Sequence, residues 1–173
     1  NMKYYDNRGK NINAKIEQLE SLRLQISGAN DIPTLMGIEG NCRQVYYSSF
    51  DDIIPDFTMG NRTKQPPDNE INALISFGNM VAYTMTLDMI YHTQLNPTIS
   101  FLHEPGYRRY SLALDISEIF KPILVDRTIF RVLNKKEIQD KHFDRKLNGC
   151  YLNETGKKTY MRAWEERLSE TIK

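Results

Sequence analysis

Three short stretches of this sequence carry side chains able to do chemistry, and each also has an ordinary structural explanation. Glu39, in GIEGNCRQVYY, falls at the border of an apolar helical stripe made by Leu35, Ile38 and Cys42. A carboxylate there is partly buried without being sealed from solvent, as a metal ligand on a cleft floor must be. Arg43, four residues on, offers the alternative of an ordinary Glu–Arg helix pair. His103, one of three histidines, stands beside Glu104, Pro105 and Gly106 and can serve as metal ligand, general base or plain exposed polar group. Asp115 and Glu118, in SLALDISE, share one helix face. Two carboxylates so close repel unless a cation or a base lies between them. Arg108, Arg109 or Lys121 could supply that cation structurally, and a divalent ion could supply it functionally. The other two histidines carry less: His92, four residues after Asp88, reads as packing or a local pair, and His142 as a surface residue.

Glu39, His103 and the acid pair together offer mixed nitrogen and oxygen donors, which suit Mn²⁺ or Mg²⁺ better than a thiolate-rich zinc site does. An ion held in that way at a phosphodiester polarises the phosphoryl oxygen and activates a water or a 3′-hydroxyl. Spacing alone does not bring the three stretches together, so the elements that carry them matter.

Helical periodicity dominates the chain. Ile12, Ile16, Leu19, Leu22 and Ile26 form one stripe that Gly28 can end, and Leu35, Ile38, Cys42, Val45 and Tyr46 form a second after Asp31-Ile32-Pro33. Residues 55–67 read as a loop around Gly60 and Pro66-Pro67. Asp68 can cap a long helix whose Ile71, Leu74, Ile75, Gly78, Val81, Ala82, Met85 and Met89 face a core, with Asn96-Pro97 ending it. An irregular connector over 98–107 leads to a helix on SLALDISEIF that Pro122 limits or kinks, then to a short helix over 125–133. HFDRKLNGCYLN alternates like a small hairpin around Asn148-Gly149. Asn153 or Thr155 starts a last helix anchored by Tyr160, Trp164 and Leu168. The expected fold is mainly α, a single helical domain over residues 1–173 with at most one short β-hairpin.

At 173 residues the chain has the length of one domain that needs no staple, and its two cysteines, Cys42 and Cys150, read as reduced intracellular thiols. The formal net charge is +1, but its distribution is uneven. Residues 1–100 hold 8 basic and 11 acidic side chains, and residues 101–173 hold 15 and 11. A solvated helical face and an anionic partner both account for such a split. No signal peptide and no run near the roughly 18 apolar residues of a membrane span is apparent, so the expectation is a soluble cytoplasmic protein with no membrane partner.

In their order, several of these segments resemble a known family, the CRISPR-associated adaptation integrases, the first of the Cas proteins, which are metal-dependent DNA endonucleases and integrases. The resemblance rests on KYYDNRGK, GIEGNCRQVYY, PPDNEINALISFGN, ISFLHEPGYRRYSLALDISEIFKPILVDR and GCYLNETGKKTY, which together span most of the chain. It implies that Glu39, His103 and Glu118 bind the catalytic Mg²⁺ or Mn²⁺, with Asp115 one turn back as a supporting acid. The sequence departs from the pattern in carrying Glu118 where some relatives have Asp, and Ser100 where glycine is usual.

The resemblance further implies CRISPR spacer acquisition as the process and branched or double-stranded DNA as the substrate, bound with little regard to sequence. Phosphates would be positioned by Arg43, Arg62, Lys64, Arg108 and Arg109, with Lys121 and Arg127 as further contacts that have a solvated-surface explanation. It places a homodimerising N-terminal β domain before this chain and a basic helical segment after it. The partner it implies is the small ferredoxin-like second Cas protein. On that reading the chain is a catalytic domain truncated at both ends, and the isolated fragment is weakly active or inactive. The competing class is a non-catalytic helical module that binds DNA or a protein on its cationic later segment.

Overall fold

The computed structural model describes residues 1–103 and 110–170. Contacts within the chain gather in two compact units, Asn1–Arg62 and Thr63–Lys173. Each is described by itself. Among the described residues the chain is mainly helical, with one two-stranded antiparallel hairpin, as expected.

The first unit contains α1 (Met2–Asp6), α2 (Asn13–Gln25), α3 (Ile32–Ser48) and α4 (Phe50–Ile53). A 3₁₀ turn over Ile26–Gly28 finishes α2 at the glycine that sequence marked as its end. The Asp31 carboxylate starts α3 by accepting the Thr34 N–H at 2.7 Å, with Pro33 in the first turn, where its missing N–H costs nothing. Lys15 on α2 donates to the Ser48 carbonyl at 2.7 Å and pairs with Asp52, which fixes the end of α3. Phe50 is fully buried and meets the Tyr46 and Tyr47 rings edge-on at 5.5 and 5.3 Å.

The second unit packs three long helices, α5 (Glu70–Tyr91), α6 (Ser111–Asn134) and α7 (Glu154–Ser169), with a hairpin of β1 (Phe143–Lys146) and β2 (Gly149–Leu152). The capping residue of α5 is Asn69, one position later than expected: its side chain accepts the Asn72 N–H at 2.9 Å. Asp68 is engaged instead by the Asn72 side-chain amide at 2.8 Å and by the Thr63 hydroxyl. The helix ends at Tyr91, before Asn96-Pro97, and His92 follows with Nδ1 2.8 Å from the Asp88 carbonyl oxygen. By length and composition alone α5 is long and apolar enough to cross a membrane, contrary to the expectation of no such run. It is the core helix of this unit: Ile71, Leu74, Ile75, Gly78 and Ala82 are buried, whereas Met89, expected on the same face, is exposed.

Pro122 does not divide α6 into two helices as expected. Buried Leu112 and Ala113 precede it and buried Val125, Ile129, Val132 and Leu133 follow it on the same helix. Burying several such side chains, at about 1.5–3 kcal/mol each, outweighs the cost of about 3 kcal/mol for an interior proline. Asn153 caps α7 through the Gly156 N–H at 2.9 Å. Tyr160 and Trp164 anchor that helix, with ring centroids 6.2 Å apart, but Leu168 is exposed rather than a third anchor.

The hairpin pairs Phe143 with Leu152 and Lys146 with Gly149, so Leu147 and Asn148 make its two-residue turn and Gly149 opens β2. Glycine is required there. Its φ is +154°, and a Cβ would stand 2.7 Å from the Pro66 Cβ and 2.8 Å from the Pro67 carbonyl oxygen, which accepts the Cys150 N–H at 2.8 Å. His142, expected on the surface, is buried: its Nδ1 accepts the Gln139 N–H at 2.9 Å, and its carbonyl accepts the Asn153 N–H at 3.0 Å. These bonds seat the start of α7 on the turn before β1.

Candidate active site

The start of α6 holds the beginning of the connector in place from two points. Ser111 donates its hydroxyl to the Thr98 carbonyl at 2.8 Å, and the Leu112 N–H donates to the Pro97 carbonyl at 3.0 Å. One turn later Asp115, whose side chain is 0% exposed, accepts four hydrogen bonds from residues 101–103. The Phe101 and Leu102 N–H groups reach Oδ2 at 2.8 and 3.0 Å. The His103 N–H and its ring Nδ1 reach Oδ1 at 3.0 and 2.6 Å. The Ser100 hydroxyl donates to the His103 carbonyl and so tightens this turn.

These donors decide the charge of Asp115. Burial pushes its pKa up, but the backbone N–H of Leu102, the His103 ring and the N–H groups of Phe101 and His103 together overcome that and hold it below the ordinary carboxylate value. An ionised carboxylate only accepts, so Nδ1 of His103 is the donor and carries the proton. With Nδ1 so engaged, Nε2 is the ring nitrogen left for another partner. A carboxylate that fixes a histidine from behind is the usual outer support of a metal-binding imidazole.

Glu118 lies one turn past Asp115, with its side chain 24% exposed, and pairs with Lys121. Of the cations expected for the acid pair, the structure places Lys121 on Glu118, whereas Asp115 is met by the three backbone N–H groups and the His103 ring. Glu39 is in the first unit, on α3, with its side chain 46% exposed and paired with Arg43, so the ordinary helix pair is present. Among the described residues no group of three or more His, Cys, Asp and Glu side chains is placed to hold a metal ion. The donor chemistry at His103 and Glu118, one imidazole nitrogen and one carboxylate, nevertheless fits a hard divalent cation.

Of the basic residues named for phosphate contact, Arg43 faces Glu39, Arg62 is half-buried in the first unit, and Lys64 and Arg127 are exposed. Arg108 and Arg109 lie outside the described residues, as does Glu104. Part of the positive surplus in the later segment is used internally. Arg131 pairs with Glu137 and Glu166, Arg145 with Glu70, and Lys157 with Glu154. Sequence reasoning missed the three N–H groups that converge on Asp115. The signal was there in outline: a lone aspartate among apolar neighbours, LALDIS, at the start of a helix.

The sequence profile described as CRISPR associated protein Cas1 matches residues 1–166. The chain is 51% identical to CRISPR-associated protein Cas1 1 of Methanobrevibacter ruminantium, over 92% of this chain and 50% of the relative. It is also 51% identical to CRISPR-associated endonuclease Cas1 3 of Thermodesulfovibrio yellowstonii, over 89% of this chain and 49% of the relative. The solved structure of a Cas1 protein from Thermotoga maritima superposes with a TM-score of 0.84 at 43% identity, over 87% of this chain and 50% of that one. The chain thus spans about half the length of the curated relatives it matches.

Proposed function

This chain belongs to the Cas1 family of CRISPR-associated proteins, and on that premise we propose that the full-length protein is a divalent-metal-dependent DNA endonuclease and integrase of CRISPR spacer acquisition. The observation that carries this reading is the His103–Asp115 couple, with ring Nδ1 2.6 Å from a fully buried carboxylate. Residues 101–103 hang from that carboxylate, so the ring is oriented before any substrate arrives, and Nε2 is the atom that would be offered to a metal. His103, Glu118 and Glu39 would hold the Mg²⁺ or Mn²⁺. When bound, such an ion polarises the phosphoryl oxygen and lowers the pKa of a water or a 3′-hydroxyl. Asp115 keeps the proton on Nδ1 throughout and supports the ring without itself touching DNA. Glu118 and Glu39 would leave Lys121 and Arg43, and both cations would then be available to phosphate oxygens.

Arg43, Arg62, Lys64, Arg108 and Arg109 would neutralise the DNA backbone, giving binding that tolerates sequence and weakens with salt. A homodimer of the full-length protein and the small ferredoxin-like second Cas protein complete the assembly, in the cytoplasm, where Cys42 and Cys150 stay free thiols. One observation favours a second reading, a non-catalytic binding module: Glu39 and Glu118 each already have a cationic partner and need no ion. Mn²⁺-dependent nicking of branched DNA by the full-length protein separates the two. Glu39→Ala and His103→Ala each abolish it if the proposal holds, and activity unchanged in both supports the binding module.

A further inference from the structure

Phe101 lies two residues before His103 and has no part in the proposed metal chemistry. Its backbone is among the most constrained here: the Phe101 N–H donates to Asp115 Oδ2 at 2.8 Å while the His103 ring and N–H occupy Oδ1. Phe101 is nonetheless 68% exposed. A phenylalanine left in water forgoes the gain that burial would give it, and this one is held on a backbone with little freedom to turn inward. Ile99, two residues earlier, and Ile119, one helical turn after Asp115, are 67% and 65% exposed. Three exposed apolar side chains thus stand within two residues of His103's turn or one helical turn of the carboxylate that orients it.

We propose that Phe101 stacks on an unpaired nucleobase at the DNA end whose phosphate or 3′-hydroxyl is brought to His103. This deepens the function proposed above and rests on it. The chemistry favours a base over a protein side chain as the occupant. An unpaired terminal base lacks a stacking neighbour on one side, and a rigid exposed ring supplies one to any of the four bases, because every base has a π-face. Stacking of this kind is indifferent to sequence, as the phosphate contacts of the proposed site are. It also sets where along the strand the reacting bond falls, which phosphate contacts alone leave free to slide. Phe101 would touch substrate without taking part in proton transfer, and Ile99 and Ile119 would form the edges against which the base rests.

The test uses the full-length protein and a branched DNA with one unpaired 3′-terminal nucleotide. With 5-iodouracil as that base, ultraviolet irradiation should cross-link it to Phe101, located by mass spectrometry. Affinity is then measured for the intact end and for the same end made abasic, with wild type, Phe101→Leu and Phe101→Trp. Wild type and Phe101→Trp should lose about fivefold or more on removal of the base, and Phe101→Leu should be indifferent to it. His103→Ala should keep both the cross-link and the base dependence while losing strand cleavage and joining. A cross-link elsewhere, or equal base dependence in wild type and Phe101→Leu, overturns the stacking role alone. The same holds if Phe101→Leu releases the second Cas protein and leaves base dependence intact, since the surface is then a protein contact. Cleavage and joining that survive His103→Ala overturn the function on which the inference stands.

Discussion

Asp115 holds His103 by ring and backbone at once, with Oδ1 2.6 Å from Nδ1 and 3.0 Å from the His103 N–H. A side chain that serves both ends of one histidine couples the shape of the connector to the direction of the imidazole. Asp115→Asn puts a competing donor where only acceptors fit and removes the charge that four donors share. Removal of such an outer support costs about 10–100-fold in metal affinity or activity. Cleavage by Asp115→Asn should fall in that range, with Mn²⁺ affinity measured alongside, and activity equal to wild type would detach Asp115 from the site.

Acid should act on the same couple. The pKa of Asp115 is held below its ordinary 3.8 in the folded chain, so the folded state favours the ionised form. Its contribution to stability is complete above the ordinary value and is lost as pH falls through the lower folded value. Denaturation followed by Trp164, the one tryptophan and a buried residue of the second unit, reports this directly. Between pH 7 and pH 3 the wild type should lose more stability than Asp115→Asn, and parallel losses would contradict the assignment.

Gly78 tests the packing that carries α6. A Cβ there would collide with the Tyr160 hydroxyl and stand 2.6 Å from Val125 Cγ1. Tyr160 is fully buried, so its ring has little room to give way, although its hydroxyl has no hydrogen-bond partner among the described residues to lose by moving. Alanine is favoured over glycine inside a helix by about 1 kcal/mol, and overpacking costs about 1–3 kcal/mol. Gly78→Ala should therefore be neutral to destabilising by about 2 kcal/mol in a urea melt. Clear stabilisation would mean that α5, α6 and α7 are looser at this crossing.

Lys136 tests the opposite sign. It follows α6 with φ at +57°, the left-handed region that suits glycine, and its N–H closes the helix on the Leu133 carbonyl at 3.0 Å. Lys136→Gly should raise stability by about 1 kcal/mol by relieving that backbone. A fall by the same amount would show that the lysine side chain contributes more than the strain costs.

Much of the helical frame was legible because local signals and burial agree. The cap at Asp31, the end of α2 at Gly28 and the cap at Asn153 are short-range chemistry, readable from a few residues. Pro122 and His142 were misread because tertiary packing overrides the local rule in each: apolar faces on both sides carry α6 through the proline, and the turn before α7 encloses the histidine. At the candidate site, residue types were legible and roles were not. Sequence placed Asp115 and Glu118 as equals on one helix face, yet Asp115 is sealed against residues 101–103 while Glu118 turns to Lys121. That difference comes from how the connector folds back on α6, a contact between residues 12 to 14 positions apart that no helical periodicity encodes.

The central claim is that His103, oriented by Asp115, serves divalent-metal chemistry on DNA. Its most direct test is Mn²⁺-dependent cleavage and joining of branched DNA by the full-length protein, wild type against His103→Ala, under conditions where both bind the DNA equally. The account predicts loss of at least about a hundredfold in rate, the scale on which general acid–base and ligand groups contribute. An unchanged rate in His103→Ala would contradict it.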